Sequence, residues 1–432
     1  MSAGFLFAIG ALLILSAIGV PIAFATLVGA IGYLFISGQD VGLVAEQALN
    51  GLFDSFVLLA VPLFIVAANF MNAGTISDRL LAFCLAVVGR FRGGLAQVNV
   101  VASLIFSGMS GSAIADAAGI GRIIIDMMRK EGRYPAGYAA ALTAASSVIG
   151  PIIPPSIPMV LYALVSDTSV GYLFLGGILP GLLLGAALMA FNVWTAHRRG
   201  FPRDEAVPLR EMPRLTVRAF PALMLPVILL AGIYGGATTP TEAASIAAAY
   251  ALVLAVFVYR ALSWRDFFGV VLDAARSTGI VGLIIASALV FNYLVASENI
   301  PDLVAKQLTA LNLSPEAFLL ASNVIFLLLG CLFDATTLLL IVVPIFLPTA
   351  RALGIDLVHF GVVIVVNIMI GLATPPYGVL LFVINGITGI PLRDIIREIW
   401  PFLVVLIGSL ILMVLFPDIV LWLPHQFGYR GS

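Results

Sequence analysis

Long apolar runs make up most of the chain, and short polar or bent segments divide them. The run over residues 4–36 bends at Gly19-Val20-Pro21 and predicts two helices of about 17 residues, because one straight helix at roughly 1.5 Å per residue would overshoot a ~30 Å hydrocarbon core. Residues 40–52 have one apolar side and predict an interfacial helix, and a span over residues 55–71 follows. The pattern therefore predicts a helical protein that crosses a membrane several times.

The next apolar run, residues 95–128, is interrupted by the small or flexible residues Ser107-Gly108-Met109-Ser110-Gly111-Ser112. Such a segment predicts the tip of a helical hairpin. Arg90 and Arg92 precede the run, and a second basic group around Arg129 follows it, so the positive-inside rule places both ends in the cytoplasm. A segment that begins and ends on one side of the membrane is re-entrant.

Three prolines then break an apolar run that extends from Gly137 to Leu164. The segment Pro151-Ile152-Ile153-Pro154-Pro155-Ser156 cannot be helical, since each proline removes a backbone donor and clashes with the preceding turn. Non-helical backbone at membrane depth is tolerated only where protein buries it or where it lines a wet cavity. The break therefore indicates a binding site.

The second half of the chain repeats these features. Pro375-Pro376 breaks another apolar run, 221 positions after Pro154-Pro155. Asp334-Ala335-Thr336-Thr337 interrupts residues 317–349 as a second hairpin tip, and the flanks of that run are acidic with few cations, which places them in the periplasm. One hairpin entering from the inside and a copy entering from the outside are typical of inverted-topology repeats.

These elements predict an all-α polytopic membrane protein with two inverted-topology repeats, each containing a re-entrant helical hairpin and a broken transmembrane helix. The first repeat is predicted over residues 1–196 (scaffold helices and arm 1–92, hairpin 93–130, broken helix 135–166, final span 170–196), the cytoplasmic linker over 197–218, and the second repeat over 219–432 (scaffold helices and arm 219–312, hairpin 315–350, broken helix 357–386, final span 400–424).

Composition supports this picture and excludes several functions. The 432 residues are 62% hydrophobic and 10% charged, with a net charge of −1, whereas soluble domains carry roughly 25% charged residues. A nucleic-acid partner is not expected at this charge. Cys84 and Cys331 have no C-x-x-C partner, and the three histidines are scattered, so neither a disulfide nor a zinc site is expected. No phosphate-binding loop occurs, so transport would depend on an ion gradient and not on ATP hydrolysis by this chain.

The two tips and the two breaks carry the candidate chemistry. Broken helices expose carbonyls that suit a hard cation, and their helix N-termini offer amides to an anion. Asp116 and Asp334 lie beside the tips, and for each of them a direct ion or proton role and a helix-capping role both stay open. The four intramembrane asparagines, Asn69, Asn292, Asn323 and Asn367, favour interhelical hydrogen bonding over substrate binding. The neutral oxygen ligands are the hydroxyls of Ser110, Ser112, Ser156, Thr336, Thr337 and Thr374.

Four motifs in order resemble the large membrane subunit (DctM-like, M subunit) of the tripartite ATP-independent periplasmic (TRAP) transporters. They begin at Ser107, Gly150, Gly235 and Gly371, and they read SGMSGSAIADAAG, GPIIPPS, GGATTPTEAA and GLATPPYG. The resemblance covers essentially the whole chain. It implies a sodium-coupled secondary transporter of the elevator type, within the ion-transporter superfamily, that takes up an organic acid delivered by a periplasmic substrate-binding protein. It also implies a multi-pass location in the bacterial inner membrane and a separate small four-helix membrane subunit as partner.

The resemblance also implies where ligands bind. The substrate is expected near the tips and breaks, at Ser112, Asp116, Ser156, Thr336, Thr337, Asn367 and Pro376. The expected Na⁺ ligands belong to the first tip and break (Ser110, Gly111, Ser112, Gly150, Pro154, Pro155) and to the second (Gly330, Asp334, Ala335, Thr336, Gly371, Thr374, Pro375).

Two other classes of protein are weighed against this interpretation. An ion channel could use broken helices and re-entrant loops, and saturable sodium coupling would separate it from a transporter. An intramembrane aspartyl enzyme would need Asp116 and Asp334 to meet across the repeat axis. No arginine lies within the site motifs, so nothing in them selects one organic acid over another.

Overall fold

The computed structural model describes residues 2–73, 76–203, 207–208, 210–310 and 314–431. Within these residues every secondary-structure element is helical, and the single β feature is an isolated antiparallel bridge between Arg92 and Arg203. The predicted all-α class is therefore confirmed. Asp204 and Glu205 of the predicted linker lie outside the described residues.

The first half begins with two apolar helices, one of which starts after Ser2 and the other after Pro21. The Ser2 hydroxyl accepts a hydrogen bond from the amide of Phe5, and Pro21 precedes the second helix at the predicted bend. The helices are α1 (Ala3–Ala17), α2 (Ile22–Ile36), α3 (Leu43–Asp54), α4 (Ala60–Asn72), α5 (Ile76–Val88), α6 (Gly94–Ser110), α7 (Ala113–Asp116), α8 (Arg122–Arg129), α9 (Ala136–Ser147), α10 (Ile157–Ser166) and α11 (Val170–Arg199), and a π-helical segment, Ala117–Gly121, joins α7 to α8.

The second half contains the same hairpin and broken helix. A π-helical segment, Leu338–Val342, again lies in the returning arm of the hairpin. The helices are α12 (Met212–Tyr234), α13 (Pro240–Val253), α14 (Trp264–Ser297), α15 (Ile300–Ala310), α16 (Pro315–Gly330), α17 (Ala335–Thr337), α18 (Val343–Ala352), α19 (Leu357–Gly371), α20 (Val379–Thr388), α21 (Leu392–Leu415) and α22 (Asp418–Gln426).

Some predicted boundaries were wrong. The first tip is shorter than predicted, because α6 continues through the serines to Ser110, and the Ser107 hydroxyl donates to the Leu104 carbonyl of the same helix. The predicted final span over residues 400–424 is in fact α21, which ends at Leu415, followed by the separate short helix α22. The linker is also shorter than residues 197–218, since α11 extends to Arg199 and α12 begins at Met212.

Six helical segments of the described chain are long and apolar enough to cross a membrane. They make the protein a multi-pass membrane protein. The other hairpin helices and the broken helices are shorter than a span, whereas Ala335–Ala352, which includes α17 and α18, is long enough to be one of the six. The six segments are Val170–Arg199, Met212–Tyr234, Pro240–Val258, Trp264–Ser297, Ala335–Ala352 and Leu392–Leu415.

Each half contributes one hairpin and one broken helix, and part of each broken helix packs against the hairpin of the other half. We call α6–α8 the first hairpin, α16–α18 the second hairpin, residues 148–156 the first break and residues 372–378 the second break. Each hairpin packs against the helix that precedes the break in its own half, α9 or α19. The helix after each break instead packs against the hairpin of the other half, α10 against α17 and α18, and α20 against α7 and α8.

Two arginines mark the open ends of the hairpins. Arg129 ends the first hairpin and donates to the carbonyl of Thr388, the last residue of α20, at 3.4 Å. Arg351, in the last turn of the second hairpin, donates to the carbonyl of Ser166, the last residue of α10, at 2.8 Å. The open ends of the two hairpins therefore lie at opposite ends of the broken helices. The inverted topology of the two repeats stays a prediction.

Candidate functional site

The first tip touches the first break through backbone alone. Gly111 has a φ of +58°, and a methyl group at this position would lie 2.5 Å from the carbonyl oxygen of Pro155. Only glycine combines this left-handed conformation with so close an approach. The peptide bond between Pro154 and Pro155 is cis. The geometry thus brings together Gly111, Pro154 and Pro155, three of the residues predicted to bind sodium.

Asp116 joins the same tip to the same break. Its Oδ1 accepts a hydrogen bond of 2.5 Å from the Ser110 hydroxyl, and its carboxylate is 2% exposed. Its Oδ2 has no hydrogen-bond partner, and a methyl group on Gly150 would lie 2.5 Å from that atom. The capping alternative for Asp116 was wrong, because Ser112 is the N-cap and accepts from the amide of Ala115. A buried carboxylate with an unused oxygen therefore faces the break.

The first break is held by its own serine. The buried Ser156 hydroxyl donates to the carbonyl of Pro151 and accepts from the amide of Met159 at 3.2 Å, which caps α10. This hydroxyl therefore stabilises the break and the start of α10. The oxygen atoms that the break presents are mainly carbonyls.

A buried polar network supports the first break, and the sequence analysis missed it. Asn99 of α6 donates to Thr143 at 2.7 Å, and Ser146 of α9 donates to Asn99 at 2.7 Å. Ser103 donates to Ser146 at 3.0 Å. Thr143 and Ser146 are three residues apart and share a helix face, which is the sequence signal that could have revealed the network. These bonds fix α6 against α9 behind the site.

The second site is built on the contact of two glycines. A methyl group on Gly371 would lie 2.7 Å from the Cα of Gly330, so α16 and α19 touch backbone to backbone. Asp334 is the N-cap of the returning arm and accepts from the amide of Thr337 at 3.1 Å and from its hydroxyl at 2.5 Å. The capping role of Asp334 is therefore confirmed.

Polar side chains again lie behind this contact. The amide nitrogen of Asn367 donates to the carbonyl and to the side chain of Asn323 at 2.7 and 2.5 Å. This confirms the interhelical role for Asn323 and Asn367, although the Oδ1 of Asn367 is buried without a partner. Asn69 instead donates to the Ile65 carbonyl of its own helix at 2.8 Å. The Thr374 hydroxyl donates to the carbonyl of Ile370 at 2.8 Å. Ala335 and Thr336 lie half-buried at the tip.

Both sites therefore place neutral oxygen atoms close to a non-helical break. Within the described residues, no group of three or more His, Cys, Asp and Glu side chains could hold a metal ion. Hydroxyl and carbonyl oxygens suit a hard monovalent cation better than a transition metal. The Pro375-Pro376 peptide bond is also cis.

Comparisons with known proteins agree on one family. The family model described as "Tripartite ATP-independent periplasmic transporter, DctM component" matches residues 9–419. The chain is 40% identical over 413 residues to the sialic acid TRAP transporter large permease protein SiaM of Vibrio cholerae, covering 95% of this chain and 96% of that protein. It is 41% identical over 400 residues to the C4-dicarboxylate TRAP transporter large permease protein DctM of Pseudomonas aeruginosa, covering 93% of each.

The fold also resembles a solved transporter structure. The crystal structure of the YdaH transporter of Alcanivorax borkumensis aligns with a TM-score of 0.58 at 17% identity, covering 89% of this chain and 90% of that one. At this identity the likeness concerns the fold alone.

Proposed function

Because the chain belongs to the DctM family of tripartite ATP-independent periplasmic transporters, we propose that it performs sodium-coupled uptake of an organic acid. The family consists of transport components, and the chain is a permease of the bacterial inner membrane and not an enzyme. The observation that supports the sodium assignment is the close approach of Gly111 to the carbonyl of Pro155, which brings the tip next to an oxygen atom of the break.

One Na⁺ would bind at each tip. At the first, the carbonyls of the break and the oxygens of Ser110 and Ser112 would replace the water shell of the ion, and the charge of Asp116 would favour a cation nearby. At the second, Thr336 and the carbonyls beside Gly330 and Gly371 would do the same. Ion binding would order each tip against its break and so complete the substrate site between them.

The substrate and partners follow from the relatives. Sialic acid and C4-dicarboxylates, named for the two large permeases, are both carboxylates. An organic acid would bind near Ser112, Thr337 and Asn367, with the amides at the start of α10 or α20 facing its carboxylate. A separate small four-helix membrane subunit and a periplasmic substrate-binding protein would complete the transporter, the latter delivering the acid.

Alternating access would follow an elevator motion. The helices α11 and α21 pack on the broken helices and the hairpins, so they would move with them as one body. The scaffold would then consist of α1–α5 and α12–α15.

Sodium binding can be tested without knowledge of the substrate. We expect NaCl, compared with choline chloride, to raise the melting temperature of the purified chain. The half-saturating sodium concentration should increase roughly tenfold in Ser112→Ala or Thr336→Ala, since losing one oxygen ligand costs about 1–1.5 kcal/mol on the hydrogen-bond scale.

Ser314→Ala is the matched control, because Ser314 also caps a hairpin helix, at 3.2 Å from the amide of Ala317, but lies at the far end of α16 from the tip. Its sodium dependence should stay unchanged. An identical sodium response in wild type, Ser112→Ala and Thr336→Ala would refute the sites, and no sodium response at all would refute the coupling.

Two further experiments test the orientation and the cargo. Cysteines introduced at Arg92 and Arg129, in a chain lacking the buried Cys84 and Cys331, should react with impermeant reagents only from the cytoplasm. Labelling from the periplasm would overturn the orientation.

Proteoliposomes with the cognate small subunit and binding protein should accumulate labelled sialic acid or succinate only along an inward sodium gradient. Uptake of either probe without sodium would contradict the proposal.

A further inference from the structure

A pocket of about 420 Å³ lies at the cytoplasmic end of the protein, away from the tips and breaks. It is formed where the connector into the first hairpin meets the connector that leaves α11. Its polar wall contains Arg92, Arg203, His197 and Gln97. Its apolar wall includes Phe91, Met189 and Val193.

The backbone holds two cations side by side in this pocket. Arg92 and Arg203 face each other in the antiparallel bridge, and the amide of Gly93 donates to the carbonyl of Pro202 at 3.1 Å. Gly93 has a φ of +71°, a conformation that costs a glycine nothing. The bridge thus brings two positively charged residues to one wall of the pocket, where an anion between them would be favoured.

Within the described part of the chain, no carboxylate pairs with Arg92 or Arg203. Other arginines close by do have partners. Arg199 forms an ion pair of 2.8 Å with Glu398, and the guanidinium of Arg198 lies over the ring of Trp194. The pair at the pocket therefore provides an unused anion-binding surface.

Gln97 adds an acceptor deep in the pocket. Its side chain is 2% exposed, and its Nε2 donates to the carbonyl of Met189 at 3.0 Å. Its Oε1 is buried without a hydrogen-bond partner. A buried acceptor of this kind requires a donor, and a hydroxyl of a bound molecule would supply it.

The apolar wall indicates that this molecule is a lipid. Phe91 is 49% exposed and Val193 is 44% exposed, and Trp194 beside them is 54% exposed, as is typical of the level where the membrane meets water. The basic flanks of the first hairpin place this level in the cytoplasmic leaflet. Basic pockets between helices on this side of a membrane attract anionic headgroups.

We propose that the pocket binds an anionic phospholipid with a hydroxylated headgroup, of the phosphatidylglycerol type. The phosphate lies between Arg92 and Arg203, and a headgroup hydroxyl donates to Gln97 Oε1. The acyl chains run along Phe91 and Val193. The lipid thereby ties together two connectors, both of which join the hairpin-bearing body to the rest of the protein.

The test measures lipid binding by the full chain in detergent, with native mass spectrometry and melting temperature as readouts. Phosphatidylglycerol is compared with phosphatidylcholine and with glycerol 3-phosphate, which has the anion without the acyl chains. Phosphatidylglycerol should be retained and should raise the melting temperature, whereas the other two should not. Arg92→Gln/Arg203→Gln should weaken phosphatidylglycerol binding roughly tenfold or more, since each basic group near an anionic headgroup contributes several-fold.

Arg198→Gln is the matched control for the single variant Arg203→Gln, because each removes one positive charge and Arg198 lies outside the pocket, over the ring of Trp194. It should bind phosphatidylglycerol as the wild type does. The single variant Arg203→Gln serves if the double variant does not fold, with a smaller loss expected.

Three results would overturn the proposal. Equal retention of phosphatidylcholine would show that the pocket does not select an anion. Equal stabilisation by glycerol 3-phosphate would show a site for a soluble anion. Loss of phosphatidylglycerol from the complete complex with its small membrane subunit would show that the pocket is a protein contact.

Discussion

The contact of Gly330 with Gly371 leads to the sharpest prediction about the second site. A methyl group on Gly371 would lie 2.7 Å from the Cα and 2.8 Å from the carbonyl carbon of Gly330. Both atoms belong to the backbone of α16 and cannot rotate away. A methyl group on Gly330 meets the Cα of Gly371 at 3.1 Å, which is a milder conflict.

Carbon atoms in contact lie about 3.5–4.0 Å apart, so Gly371→Ala forces α16 and α19 apart by roughly 0.8 Å or more, and Gly330→Ala by about half of that. Overpacking of this kind costs about 1–3 kcal/mol, while replacing a helical glycine by alanine returns about 0.4–1 kcal/mol. We expect Gly371→Ala to lose about 2 kcal/mol of stability and Gly330→Ala to lose less than about 1 kcal/mol. Gly386→Ala, with open space within 4 Å, should be neutral or slightly stabilised.

The assay is the melting temperature of each variant with and without sodium. The order of melting temperatures should be Gly386→Ala, Gly330→Ala, Gly371→Ala, from highest to lowest. The sodium-induced rise should be smallest in Gly371→Ala, since the separation of the helices displaces the proposed ligands. A Gly371→Ala protein with wild-type stability and a wild-type sodium response would refute both the contact and its role.

The remaining predictions concern other contacts. Gly111→Ala should abolish the sodium-induced rise in melting temperature, because the new methyl group meets the Pro155 carbonyl at 2.5 Å and the φ of +58° is left-handed; an unchanged rise would contradict this. Arg351→Gln should lower the free energy of unfolding by about 1–2 kcal/mol, and Arg129→Gln should lower it by less than half as much. The reason is that their hydrogen bonds to helix ends measure 2.8 and 3.4 Å, respectively. Equal losses of stability in thermal unfolding would argue against this. Hydrogen bonds from Ser2 lower the pKa of Glu298 below its ordinary value of 4.5, so this contact stabilises the protein above that pH and loses its effect as the pH falls through the lowered pKa. The melting temperature of Glu298→Gln should therefore be lower than that of the wild type at neutral pH and equal to it in strong acid, and a pH-independent difference would contradict this.

Local sequence chemistry was enough to locate the breaks and the tips. Adjacent prolines locate both breaks, at Pro154-Pro155 and Pro375-Pro376, whereas isolated prolines such as Pro180 and Pro401 lie inside helices. The length of the first tip could not be derived in this way, because Ser107 bonds to its own helix and lets α6 continue to Ser110. The end of the last span was misplaced for a related reason, since the apolar pattern continues from α21 into α22 across a short break before Asp418.

The site was less predictable than the fold, since partners distant in sequence decide the role of each side chain. Asp116 and Asp334 look alike in sequence, yet the first accepts from Ser110 and faces the break while the second caps a helix. The Ser156 hydroxyl was predicted to bind a ligand, but it donates to the carbonyl of Pro151 and accepts from the amide of Met159. The sodium ligands themselves stay predictions.

The crossing of the two halves has a consequence for biosynthesis. The Tyr162 hydroxyl of α10 donates to the carbonyl of Leu357, 195 positions later, and Arg351 reaches back 185 positions to the end of the same helix. Although α10 also packs on α4 and α11 of its own half, these two hydrogen bonds form only after the second hairpin and the start of α19 have been synthesised. Contacts this distant in sequence form slowly. The first break packs against Gly111 and α11 of its own half, whereas the end of α10 gains its bond from Arg351 only after the second hairpin exists, so synthesis of that hairpin marks the point at which α10 can complete its packing.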